Sequence, residues 1–174
     1  MKSLFKLLVL LGVLYCLFVS ACGNEEKVEE TPAPAQTVSE PAVPAPTQPA
    51  IADIDKHIAE AIKGVDKNTS ATVDTIAKLA KNDAKQINEL DVKQALDYIR
   101  KVHPNYYTDN ETMEKAMYYG YLLDYAFDDN DPRSHVGFNV VKSIKYVYRG
   151  AEKTTDEATT NNLEKVKKEL AKIK

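Results

Sequence analysis

The residues best suited to chemistry lie in one stretch, MYYGYLLDYAFDDNDP, at positions 117–132. Its tyrosines combine a flat apolar ring with a polar hydroxyl, which suits them to stacking on sugars or contacting a protein. Its aspartates supply the oxygen ligands that calcium prefers. Two hypotheses follow. The first is an interaction face made of Tyr118, Tyr121 and Tyr125, and the second is a weak cation site made of Asp124, Asp128 and Asp129. A pocket that binds a small ligand would use both groups of residues.

The aspartate cluster does not match the EF-hand calcium loop. That loop needs an oxygen ligand at its fifth and twelfth positions and a glycine at its sixth. Counted from Asp129, these positions hold Arg133, Val140 and Ser134. Only an irregular, weak cation site is compatible with this pattern. The structural alternative is a turn between two helices, in which Asp131 caps the second helix.

The residue combinations that enzymes use are missing from the sequence. The histidines are His57, His103 and His135, and none has a second histidine at metal-ligand spacing. No HExxH, GxSxG or phosphate-binding glycine motif is present. His135 could bind a metal only together with the nearby aspartates. The sequence therefore predicts no catalytic residue, no dedicated metal centre and no cofactor, and hence a protein that is not an enzyme.

The same tyrosines have a second interpretation, as the core of a helical bundle. Between Ala116 and Phe127 the only charged residue is Asp124. A helix that is apolar nearly all round is usually buried at the centre of a bundle. Gly120 would let a neighbouring helix approach closely. One row of tyrosines therefore belongs either to the core or to a face that meets a partner.

The elements that must position these residues are helices. Apolar residues recur every three or four positions through residues 51–174, and no segment alternates with a period of two. The stretch KNTS at 67–70 interrupts the first stripe, so residues 51–90 form either one helix or two. The predicted fold is all-α, a small bundle of five or six helices in a single domain.

Several residues mark helix boundaries in this region. They are Asp91 as an N-cap, Pro104 as a terminator, Asp131 and Pro132 as a cap followed by proline, Gly150 as a C-terminal signal, and 154–157 as a last cap.

Residues 1–21 have the features of a secretory signal peptide. Lys2 and Lys6 precede an apolar run, Leu7–Val19, that small residues follow. The run is shorter than the roughly 20 residues that a membrane-spanning helix needs. Val19-Ser20-Ala21-Cys22 then resembles the lipobox of bacterial lipoproteins. This resemblance implies cleavage before Cys22, lipid attachment to its thiol, and anchoring on the extracytoplasmic side of a bacterial cell membrane.

A second resemblance involves the helical domain. The segment GYLLDYAF…VVKSIKYVYRGAE is similar to small uncharacterised lipoproteins of Gram-positive bacteria, which implies no activity. The Gram type remains open from the sequence.

Residues 22–50 have the composition of a disordered tether. The segment TPAPAQTVSEPAVPAPTQPA holds six prolines and hardly any large apolar residue, so it cannot bury enough surface to offset its ordering entropy. The formal net charge of −3 argues against a nucleic-acid partner. The basic segment 164–174 either contacts anionic lipid or is the solvated face of the last helix.

We therefore expect a lipid-anchored, non-enzymatic interaction module that binds an envelope protein; exclusion and immunity factors are proteins of this kind. The alternative is a protein that binds a small ligand or cation in a Tyr/Asp-rich pocket.

Overall fold

The computed structural model describes residues 46–152 and 157–174, all within one compact unit that spans Val43–Lys174. Within these residues the chain forms six helices and no strand. The helices are α1 Ile54–Ala61, α2 Ser70–Asp83, α3 Glu89–Val102, α4 Asn110–Ala126, α5 Pro132–Tyr148 and α6 Glu157–Leu170. The predicted all-α bundle of five or six helices is confirmed. The predicted signal peptide, Cys22 and residues 23–45 of the predicted tether lie outside the described residues.

The central helix of the bundle is α4. It packs against α1, α2, α3 and α5, while α6 packs against α5. Nine residues of α4 are buried: Met113, Glu114, Ala116, Met117, Tyr118, Tyr119, Gly120, Leu122 and Leu123. They surround nearly the whole circumference of the helix, as its apolar sequence predicts. None of the described helices is both long and apolar enough to cross a membrane.

The helices α4 and α5 approach each other closely at two glycines. A Cβ atom at Gly120 would lie 2.9 Å from Val141 Cγ2 and 3.0 Å from the carbonyl oxygen of Gly137. A Cβ atom at Gly137 would overlap the carbonyl oxygen of Gly120 and lie 2.7 Å from the backbone nitrogen of Asp124. The two backbones therefore touch: a Cβ atom at Gly137 would collide with backbone atoms, and one at Gly120 would require Val141 and the Gly137 carbonyl to shift. The sequence indicated this role for Gly120 but not for Gly137.

Residues 51–90 form two helices, which settles the alternative that the sequence left open. The chain between α1 and α2 passes through Gly64, with φ of +80°, and Asn68, with φ of +59°. Both are left-handed conformations that glycine and asparagine adopt at low cost. The break spans residues 62–69, so it begins before the KNTS stretch and ends within it.

The N-cap of α3 differs from the predicted one. The cap is Asn88, whose side-chain oxygen accepts hydrogen bonds from the backbone N–H groups of Leu90 and Asp91. Asp91 lies three residues later and accepts a hydrogen bond from the backbone N–H of Asn88 at 2.9 Å. The prediction of Asp91 as the cap was wrong because the two residues form a reciprocal capping box.

Asp91 also fixes the chain before α1. Its carboxylate accepts hydrogen bonds from the backbone N–H groups of Ala50 at 3.0 Å and Ile51 at 3.3 Å. The Asn88 side chain donates to the carbonyl oxygen of Gln48 at 3.0 Å. Gln48, Ala50 and Ile51 are therefore hydrogen-bonded to the bundle, although they precede α1 and Gln48 and Ala50 lie inside the segment predicted as tether.

The remaining boundaries follow their sequence signals. α3 ends at Val102, shortly before Pro104. The Asp131 side chain caps α5 by accepting a hydrogen bond from the backbone N–H of Arg133, and Pro132 is the first helical residue. Gly150, with φ of +95°, follows α5. Of the cap predicted at 154–157, residues 154–156 lie outside the described residues.

Candidate functional site

Tyr118 belongs to the core, which corrects the predicted interaction face. Its side chain is fully buried, and its hydroxyl donates a hydrogen bond to Asp83 Oδ2 at 3.0 Å. The same carboxylate oxygen lies 2.9 Å from His57 Nε2. Burial, followed by the negative charge of Asp83, raises the pKa of Tyr118 well above its usual range. This hydroxyl is therefore a neutral donor inside the bundle, out of reach of a partner.

Tyr121 and Tyr125 form an exposed aromatic pair, called the tyrosine pair below. Their rings stack with centroids 5.7 Å apart and an angle of 8° between their planes. Tyr125 is 42% exposed, whereas Tyr121 is half-buried. Lys81 Nζ lies 5.7 Å from the Tyr125 ring centroid, so α2 contributes a cation beside the pair. Two of the three predicted face residues thus lie together at the surface.

Burial raises the pKa of both tyrosines of the pair. It raises the pKa of Tyr121 to about 12, and the neighbouring Tyr125 adds to the shift. The pKa of Tyr125 is raised as well, first by burial and then by the charge of Asp124. Both hydroxyls can donate hydrogen bonds at physiological pH, as an unperturbed tyrosine also can, and the shift extends this range to higher pH.

The aspartates of the predicted cation site do not assemble into one. Asp124 is half-buried, and burial followed by the charge of Asp129 raises its pKa. Asp128 and Asp129 are exposed. In the parts of the chain that the structure describes, no group of three or more His, Cys, Asp or Glu side chains is placed to hold a metal ion. The site predicted at Asp124, Asp128 and Asp129 is therefore not formed, and this segment serves as the turn between α4 and α5.

Each histidine contacts a neighbour that gives it a structural role. His57 lies against the buried Asp83 carboxylate, as described above. His103 Nδ1 lies 2.9 Å from the Tyr106 hydroxyl oxygen. His135 has two contacts: its Nε2 lies 2.5 Å from the Asp129 carbonyl oxygen, and its Nδ1 lies 3.7 Å from Glu169 Oε2. Burial lowers the pKa of His103. The three rings are thus used in separate contacts.

A second exposed surface lies along α5 and was missed as a whole by sequence reasoning. Phe138 is 45% exposed and Tyr146 is 48% exposed. Lys142 Nζ lies 4.4 Å from the Phe138 ring centroid. Lys145 Nζ and the Arg149 guanidinium lie 5.2 and 5.6 Å from the Tyr146 centroid. We call these five residues the basic stripe.

The spacing of these five residues in the sequence indicates that they share one side of α5. The sequence places Lys142, Lys145 and Arg149 on one side of the helix, opposite Val140, Ile144 and Val147. Phe138 precedes Lys142 by four residues, and Tyr146 precedes Arg149 by three. Aromatic residues three or four positions from a cation are neighbours on a helix surface. The two exposed aromatics could therefore have been assigned to the basic side.

Three pockets of the described residues lie away from the predicted ligand residues. One of about 530 Å³ lies between α1 and the start of α4, and one of about 740 Å³ lies between α3 and the C-terminal residues. A third, of about 550 Å³, is lined by Tyr98 and Tyr119. None of these three is lined by the tyrosine pair or by the aspartates of the predicted cation site. They give no support to a ligand pocket rimmed by Asp124, Asp128 and Asp129, although Asp97 joins Tyr98 and Tyr119 in lining the third.

Comparison of the chain with models of protein families, with curated proteins and with solved structures finds no match. Function therefore has to be inferred from the residues and contacts described above.

Proposed function

We propose that this chain is a lipid-anchored protein of the bacterial envelope that binds an envelope protein through its tyrosine pair, without catalysing a reaction. One observation carries the proposal: the Tyr125 side chain is 42% exposed, and its ring stacks against the ring of Tyr121. Stacking holds the two rings in one orientation before a partner arrives. A partner then binds with little further loss of side-chain entropy.

The chemistry of the pair suits a protein partner. Tyrosine is enriched at protein interfaces because it buries a large apolar ring and keeps a polar tip. Both hydroxyls are protonated at physiological pH, as any tyrosine with a pKa of about 10 or above is, and can donate hydrogen bonds. Lys81 adds a positive charge beside the rings. The pair thus offers apolar area, hydrogen-bond donors and a cation in one place.

The proposed anchor is a lipid on Cys22. The Pro-rich composition of residues 23–47 suits a spacer between this lipid and Gln48, which is hydrogen-bonded to the bundle. At about 3 Å per residue, an extended segment of this length reaches roughly 80 Å. Such a reach suits a module that must find a partner in the envelope.

Binding fits the polar groups of the domain better than catalysis does. The buried carboxylate of Asp83 is held by Tyr118 and His57. The buried carboxylate of Glu114 accepts a hydrogen bond from the Tyr148 hydroxyl at 2.7 Å. These groups satisfy one another inside the bundle, which is the usual role of buried polar residues.

The partner can be sought by crosslinking in the native host. We expect the full chain to recover one defined envelope protein, and the Tyr125→Ala variant to lose it. Gln86→Ala is the control, because Gln86 is exposed and uncharged and lies in the turn between α2 and α3, outside the tyrosine pair and the basic stripe. Circular dichroism checks that both variants remain folded. Equal recovery by the two variants, or no defined partner with the parent chain, would contradict the proposal.

The anchor is tested separately. In the Cys22→Ala variant we expect an unlipidated precursor, detected by the mass of the N-terminal peptide. If this variant is processed and partitions with membranes as the parent does, Cys22 is not the site of lipidation.

A further inference from the structure

We infer that the basic stripe of α5 docks on the anionic phospholipid surface of a bilayer. The stripe consists of Phe138, Lys142, Lys145, Tyr146 and Arg149, as defined above. The inference rests on the proposed lipid anchor, which keeps a bilayer within reach of the domain. It does not depend on the tyrosine pair or its protein partner.

The two aromatic residues of the stripe supply the apolar contact. Phe138 and Tyr146 are the most exposed large hydrophobic side chains of the described residues, at 45% and 48%. Aromatic side chains that are apolar at one end and polar or charged nearby are characteristic of the bilayer interface. There the ring enters the boundary between head groups and acyl chains.

The three cations of the stripe supply the electrostatic contact. Lys142 lies 4.4 Å from the Phe138 ring, and Lys145 and Arg149 lie 5.2 and 5.6 Å from the Tyr146 ring. Every exposed ring of the stripe therefore has a cation beside it that could pair with a lipid phosphate. Basic residues near an anionic leaflet are attracted by its surface potential.

Acidic residues are absent from the part of the sequence that carries the basic stripe. The whole chain carries a formal net charge of −3, yet the sequence has no Asp or Glu between Asp131 and Glu152. α5 is therefore a basic helix in an acidic protein. An anionic surface would be attracted to this helix and repelled by the acidic residues elsewhere.

The helix presents the stripe rigidly. At 100° per residue its five positions fall within an arc of about 100°, and at 1.5 Å per residue they extend about 16 Å along the axis. The opposite side of α5 is fixed in the bundle by Val140, Ile144 and Tyr148, which are fully or almost fully buried. Arg149 is also held by a hydrogen bond to Ser70 Oγ at 3.1 Å. The stripe can therefore lie flat on a bilayer without rearrangement of the fold.

The absence of tryptophan from the sequence provides a clean test. The Phe138→Trp variant of the full chain places a single indole in the stripe at an exposed position. Gln86→Trp is the matched control, because Gln86 is exposed and uncharged and lies in the turn between α2 and α3. Each full-length variant is reconstituted into vesicles of phosphatidylcholine alone or of phosphatidylcholine mixed with phosphatidylglycerol.

We expect the emission of the Phe138→Trp variant to shift to the blue and to be quenched by brominated acyl chains when phosphatidylglycerol is present. No change is expected in phosphatidylcholine alone, or from the Gln86→Trp variant in either vesicle. Adding Lys142→Ala and Lys145→Ala to the reporter should lower the ratio of docked to free domain about thirtyfold. High salt should act in the same direction, since it screens exposed charges.

Three results would overturn the inference. The first is an unchanged reporter in both vesicles, and the second is an equal response in both. The third is a response to soluble polyglutamate but not to vesicles, which would assign the stripe to an acidic protein. The mass of the Cys22 peptide from the same sample reports lipidation independently, so failure of the anchor and failure of the stripe are distinguishable.

Discussion

Replacing Gly137 by alanine tests whether backbone contact between α4 and α5 governs the stability of the bundle. The new Cβ would lie 2.7 Å from the backbone nitrogen of Asp124 and closer still to the carbonyl oxygen of Gly120. Both obstacles are backbone atoms of a helix, so neither can rotate away. The two helices have to separate, and the side chains between them lose dispersion contacts.

The magnitude follows from two opposing effects. Overpacking of this kind costs about 3 kcal/mol at the upper end of its usual range. Alanine favours a helix over glycine by about 1 kcal/mol. We therefore expect the free energy of unfolding of Gly137→Ala to fall by about 2 kcal/mol.

Urea unfolding followed by circular dichroism measures this change. Gly120→Ala is the comparison, since its closest obstacle is the Val141 side chain at 2.9 Å, although the Gly137 carbonyl oxygen lies at 3.0 Å. We expect Gly120→Ala to lose less stability than Gly137→Ala. A Gly137→Ala variant as stable as the parent, or more stable, would refute the backbone contact.

Three further predictions concern polar contacts. Asp91→Ala removes an acceptor of hydrogen bonds from three backbone N–H groups, so the free energy of unfolding in urea should fall by about 2–3 kcal/mol; no loss would contradict the capping role. Tyr148→Phe removes the hydrogen bond to the buried Glu114 carboxylate, which should cost about 1–3 kcal/mol in the same assay, whereas a variant of unchanged stability would show that water replaces the hydroxyl. Burial lowers the pKa of His103 in the folded state, so the unfolded chain binds the proton more readily. The contribution of neutral His103 to the free energy of unfolding is therefore complete above the unfolded pKa of about 6.5. It is lost as the pH falls through the lower pKa of the folded state. His103→Gln should flatten this part of the curve of stability against pH, and an unchanged slope would exclude His103 as its source.

Local signals predicted most of the helix boundaries. Asp131 followed by Pro132 identified the start of α5, and Gly150 marked its end, because caps depend on neighbours in sequence. The prediction of Asp91 as the N-cap of α3 was wrong because a capping box has a polar residue at both of its ends. Asn88 and Asp91 satisfy each other, and either alone resembles an N-cap.

The tyrosine face could be predicted only in part. On a helix that is apolar nearly all round, periodicity does not distinguish the solvent side from the core. Tyr118 is buried because its hydroxyl meets Asp83 of α2, a contact between residues far apart in the sequence. Tyr125 remains exposed because no neighbouring helix covers it fully. The difference is set by tertiary packing, which the spacing of tyrosines does not contain.

The attachment of the chain at Asp91 has a mechanical consequence. A pull on the chain before Gln48 would load the hydrogen bonds that join Gln48, Ala50 and Ile51 to the start of α3. The short helix α1, which follows in sequence, would be shielded until those bonds broke. With the chain anchored at Cys22, tension from the membrane would act first on the hydrogen bonds at the start of α3. The contacts between α1 and the rest of the bundle would carry load only after those bonds had broken.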